Sequence, residues 1–195
     1  MAEPTPDQVR AFWAYMTGKY GTKVVPKAAS PEMLAVADLL DGLGIVQRDT
    51  FMTRFVTTIG KVIYVPFDVG AVNGWSLWDQ IGVCAHEHQH VVQETRLGAA
   101  TFGTQYLLDP DARGVLEAEA YRVSLTLDFW HLGKMPFIPV YADLLKSYGV
   151  PRETVDFVSQ YGGLSAVSIL RGAVPDEAAK VAIEWLTANT PGCKA

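Results

Sequence analysis

Apolar residues recur every three or four positions over most of this chain, the spacing of helices that bury one face. Over residues 4–20, Thr5 precedes Pro6, an N-cap followed by proline at N1. Val9, Phe12, Trp13 and Met16 then form an apolar stripe ahead of Gly18 and Gly21. Ser30-Pro31-Glu32 repeats the cap-and-proline signal, and Met33, Leu34, Val36, Ala37, Leu39 and Leu40 predict a second helix that stops at Gly42 or Gly44. From Thr50 the period shortens. Residues 51–58 are rich in β-branched and aromatic types, Ile59-Gly60-Lys61 offers a turn, and residues 62–66 predict a second strand ended by Pro66. A β-hairpin is expected there, followed by a loop over 68–74.

Two long helical runs come next. Residues 75–97 hold no proline, and Gly98 stands where a C′ glycine would end them. After a loop or short helix over 101–110 containing Tyr106, Asp109-Pro110-Asp111 opens a helix through His131 that ends at Gly133. Beyond Lys134 the spacing predicts helices over 141–148, 152–161, 164–170 and 176–186, each closed by glycine or by the chain's tail. The expected fold is α+β and mostly helical, with a small antiparallel sheet or hairpin ahead of the 75–97 helix. It forms a single domain, 1–195, with a core over about 45–135 and a helical subdomain over about 136–195 that packs on it as one wall of a cleft.

Placing side chains at about 100° per residue sorts the faces of the two long helices. His86, His90, Gln93 and Asp79 share one side of the first. Leu77, Ile81, Cys84, Ala85, Val91 and Val92 share the other, and His88 falls among them, which predicts a buried histidine hydrogen-bonded to a near neighbour. Gly82, one turn before His86, leaves room for another element to approach. On the second helix Glu117, Tyr121, Ser124, Asp128 and His131 form one polar stripe, and Glu119, Arg122 and Thr126 a shorter one. Apolar residues fill both flanks, so one stripe faces solvent and the other an internal polar site. Glu119 and Arg122, at i and i+3, predict a surface ion pair, which leaves the Glu117 stripe for the site; the alternative is a solvated Glu117 with Glu119 buried.

Composition narrows the function classes. The 195 residues are 49% hydrophobic and 19% charged, which suits one domain with a sizeable core. A net charge of −5 with scattered basic residues argues against nucleic acid as a partner. No apolar run reaches membrane-spanning length, and the N-terminus lacks the basic and apolar regions of a secretory leader. The chain is expected in the cytoplasm, with a phage particle or leaderless export as the alternative. Cys84 and Cys193 are too few for a disulfide framework, so Cys84 is expected to be a reduced core residue, with a Cys84–Cys193 bridge still open.

The chemistry lies in His86-Glu87-His88-Gln89-His90, an H-E-x-x-H string. Histidines four apart on a helix project from one face and can reach one Zn²⁺, with Glu87 beside them as general base for a metal-activated water. Glu117 and Glu119 lie two apart and so on opposite faces, and at most one of them can join the same metal.

A hairpin, an H-E-x-x-H helix and a later helix with Glu-x-Glu-Ala, in that order, resemble the gluzincin branch of the zincin metallopeptidases. His86 to Gln93 is similar to the H-E-x-x-H-V-x-Q pattern of compact zincin-like domains in bacterial and phage proteins, including extracellular contractile injection systems. Glu117-Ala118-Glu119-Ala120-Tyr121 matches their E-x-E-A-D pattern at four of five positions. The metzincin pattern fails at Arg96, where its third histidine would stand. The resemblance covers about residues 51–131. It implies Zn²⁺ held by His86, His90 and Glu117, peptide-bond hydrolysis with Glu87 as base, and an extended peptide or protein substrate paired with the strand over 61–66 as a sheet edge. Tyr121 replaces the family's supporting aspartate; Asp128 or Asp79 is the candidate substitute. Tyr121, His131 and Tyr106 are candidates to stabilise the oxyanion. The alternative is a catalytically weak or inactive zincin-like module in a phage particle or secretion assembly.

Overall fold

The computed structural model describes residues 2–42, 44 and 46–195. Its helices are α1 (Pro6–Tyr20), α2 (Pro31–Gly42), α3 (Arg48–Arg54), α4 (Leu77–Leu97), α5 (Ala99–Leu108), α6 (Pro110–Leu132), α7 (Pro139–Leu144), α8 (Arg152–Leu170) and α9 (Glu177–Asn189). The strands are β1 (Lys23–Pro26), β2 (Thr57–Ile59) and β3 (Val62–Val65). The fold is thus α+β and mostly helical. Among the described residues no helix is long and apolar enough to cross a membrane.

Local chemistry sets the ends of the main helices. Thr5 and Gln8 form a reciprocal capping box on α1, Ser76 and Asp79 another on α4, and the Asp109 carboxylate accepts from the Asp111 and Ala112 amides at the start of α6. Gly21 and Gly133 close α1 and α6 in the left-handed conformation, where a side chain would be strained. Asp79 is therefore committed to a helix cap, two turns before His86.

The main core forms where α1, α4, α6 and α9 meet under the sheet. Val9, Phe12, Trp13 and Met16 pack against Ile81, Cys84, Ala85, Val123 and Leu127, with Ala178, Ala179, Ala182 and Leu186 of α9 closing the other side. Each large side chain fully buried here contributes about 1.5–3 kcal/mol. Because α9 belongs to this core, the region after 136 is not one separate wall. A second small cluster joins Ala118 of α6 to Ala142 of α7, Leu145, and Val155 and Val158 of α8.

Three sequence expectations change. Residues 51–58 do not form one strand: α3 runs to Arg54, and only Thr57–Ile59 is extended. Phe51 turns into a cluster with Met33, Ala37 and Tyr64, so burial overrides its β-propensity. The sheet is mixed, ordered β1-β3-β2, with β1 parallel to β3 and β2 antiparallel to it. The strand over 61–66 is consequently central rather than an edge, since four-residue β1, too short to show alternation in sequence, covers its free side. Last, α8 runs unbroken through Gly162-Gly163. A Cβ on Gly162 would lie 2.7 Å from Ile138 Cγ2, so this glycine permits close packing instead of ending a helix. A Gly162→Ala variant should lose about 1–3 kcal/mol in urea unfolding, whereas Gly163→Ala, which meets nothing within 4 Å, should not.

Both cysteines are free and buried, with no bridge between them. His88 is fully buried; its Nδ1–H donates to the Cys84 carbonyl at 2.7 Å, and Thr22 Oγ1 donates to its Nε2 at 3.0 Å. Burial pulls its pKa down to about 4, which keeps it neutral, as expected of a core histidine.

Candidate metal centre

α4 and α6 form the most extensive helix pair of the fold, and their polar stripes face each other across its middle. His86 and His90 project one turn apart from α4, with ring centroids 5.0 Å apart. Glu117, two turns into α6, meets both: Oε2 lies 3.4 Å from His86 Nε2, and Oε1 lies 3.5 Å from His90 Nε2. One ligand atom from each of the three lies within 4.8 Å of the others. Glu117 Oε2 is buried and accepts no hydrogen bond, which marks it as an oxygen able to take a cation. Two imidazoles and a carboxylate are a donor set that suits Zn²⁺ and leaves a fourth position.

The neighbours hold these groups in one state. Gln93 Nε2 donates to the Leu116 carbonyl and to Glu119 Oε2, which orients its amide so that Oε1 accepts from His90 Nδ1–H at 2.8 Å. The His90 tautomer is thereby assigned, with Nε2 directed at Glu117. Burial works to lower the pKa of His90, but the adjacent Glu117 carboxylate prevails and lifts it to about 9. Burial likewise works to raise Glu117, and the two imidazoles hold it well below the usual carboxylate range. Without a metal the site is therefore a buried ion pair.

Glu87, next to the ligands on α4, is also buried, and Thr58 Oγ1 on β2 donates to its Oε2 at 2.7 Å. The start of β2 is anchored by Lys27, a fully buried lysine whose Nζ donates to the Phe51 and Phe55 carbonyls and to Thr57 Oγ1. The ammonium sits 3.4 Å from the centre of the Phe51 ring; burial pulls its pKa down to about 7, against the field of Glu87. Neither Thr58 nor Lys27 carries a sequence signal, because each reaches the site only through the sheet.

Of the other candidates, Tyr121 lies edge-on to His86 at 4.9 Å between centroids, and Tyr106 donates to Glu117 Oε1 at 2.5 Å. His131 is not brought to the group. It lies 14 residues beyond Glu117 on α6, about 21 Å along the axis, where Nδ1–H donates to the Cys193 carbonyl and the ring stacks on Trp78. Asp128 accepts from Trp78 Nε1 and from the Tyr141 hydroxyl, so it does not stand in for the missing aspartate. The Glu119–Arg122 pair is replaced by two tertiary pairs, Arg96 with Glu119 and Arg122 with Asp176. The space beside Gly82 stays open rather than admitting another element. The chain matches no protein-family model, no curated protein and no solved structure.

Proposed function

We propose that this chain is a zinc-dependent peptidase of the gluzincin-like, zincin type. The observation that carries the reading is the convergence of His86 Nε2, His90 Nε2 and a buried Glu117 oxygen without a hydrogen bond, with Glu87 next to His86 on the same helix and also buried. His86, His90 and Glu117 would hold the ion. Bound zinc supplies Lewis acidity, lowering the pKa of a coordinated water from about 15.7 to about 7. Glu87, kept in place by Thr58, removes the water's proton and then returns it to the leaving amine. Tyr121, whose ring lies edge-on to His86 at 4.9 Å, is the candidate to donate to the oxyanion, and His131 lies far off. β2 is the sheet edge next to Glu87, so an extended peptide would pair along it by backbone hydrogen bonds.

Burial favours a second reading. His86, Glu87, His90 and Glu117 are 7%, 5%, 5% and 1% exposed, which also suits a closed, metal-holding module in a larger assembly. Metal analysis of the purified chain and a peptide-library assay, each with and without chelator, separate the two. We expect one zinc per chain and cleavage that the chelator stops. Zinc without cleavage would favour the module, and a chain that takes up no zinc refutes both.

A further inference from the structure

The two oxygens of Glu117 are not equivalent. Oε1 accepts a 2.5 Å hydrogen bond from the Tyr106 hydroxyl, whereas Oε2 is buried without any hydrogen bond. Tyr106 is held for this contact. Its ring stacks on Phe102 at 5.7 Å and stands nearly perpendicular to the His90 ring at 5.7 Å, so two neighbouring rings hold the phenol. A single residue, Asp109, joins α5 to α6, and its carboxylate caps α6. α5 must therefore fold back along α6, which lays Tyr106 against a glutamate 11 positions later in the chain.

We infer that Tyr106 is a positioning residue for the metal: by holding Oε1 it makes Glu117 a one-oxygen ligand through Oε2. This rests on the metal reading of the same cluster. With Oε1 engaged, the ion keeps two imidazoles, one carboxylate oxygen and a free fourth position. With Oε1 released, both oxygens can bind and fill that position. The support of the carboxylate ligand thus comes from a phenol on a different helix, α5, rather than from α6 itself.

The test compares chelator-treated wild type, Tyr106→Phe and Tyr106→Leu. Zinc affinity is measured by competition with a chromophoric chelator, and ligand geometry by the visible absorption of the Co²⁺ form. Tyr106→Phe keeps the ring and removes only the hydroxyl. It should weaken zinc about 10–100-fold and shift the cobalt spectrum from intense four-coordinate bands to weaker five-coordinate ones. A Tyr106→Phe protein with wild-type zinc affinity, or with an unchanged cobalt spectrum, overturns the inference; so does impairment confined to Tyr106→Leu, which would assign Tyr106 to packing alone. A wild type that binds neither ion refutes the metal reading itself.

Discussion

Glu87→Gln should take up zinc as the wild type does and hydrolyse peptides about 10²–10⁴-fold more slowly, the usual worth of a positioned general base. Glutamine has nearly the shape of glutamate, and its amide oxygen can still accept from Thr58 Oγ1, so the link between β2 and α4 survives. It cannot take a proton. His86, His90 and Glu117 are untouched, hence metal content is preserved while turnover is lost. The readouts are zinc per chain and kcat on the best peptide of the library. Turnover within a few-fold of wild type would remove Glu87 from the chemistry. Loss of zinc would instead show that Glu87 supports the ligands.

The second large effect concerns Glu117→Gln, which acts on metal and on stability with opposite pH dependence. A neutral amide is a poor zinc ligand, and zinc affinity should drop more than about 100-fold. In the chelator-treated protein the same change removes the partner of the His90 imidazolium. Against burial, Glu117, helped by Glu87 and Gln93, raises His90 from 6.5 to about 9, a net stabilisation of the charged form on the order of 3 kcal/mol. A raised histidine stabilises the fold fully below its unfolded pKa and ceases to do so as pH climbs through its folded value. The metal-free variant should therefore be less stable than metal-free wild type by about 3 kcal/mol at pH 6, and nearly equal above pH 9. Zinc moves the other way, because His90 must lose its proton to bind, and wild-type affinity should rise up to about pH 9. Urea unfolding and zinc titration at pH 6, 7.5 and 9.5 read both. A destabilisation that does not vary with pH would refute the ion pair.

Much of the candidate centre could be read along the chain because its parts are local. The spacing of His86 and His90 on α4 is a property of any helix, and the two-residue offset between Glu117 and Glu119 separates them by face without any tertiary knowledge. The caps at Thr5 and Asp109 and the glycines at 21 and 133 act within one turn, so those helix ends were equally legible, whereas the start of α4 at its cap Ser76 was not, being read as part of a run from residue 75. Phe51 misleads because its aromatic, β-branched surroundings fit a strand as well as a short buried helix, and only packing against Met33 and Tyr64 decides.

By itself, then, the sequence determined the helical framework, the face on which each titratable side chain stands, and the burial of His88 beside a hydrogen-bonding neighbour. Tertiary structure alone decided the partners: Thr58 on Glu87, Tyr106 on Glu117, Lys27 beneath β2, Arg96 with Glu119 and Arg122 with Asp176. It also decided that β3 lies inside the sheet and β2 at its edge. The physical reason is range. Periodicity and capping are set by residues within a turn or two, whereas these contacts join positions 11 to 54 apart, whose meeting depends on how whole helices pack.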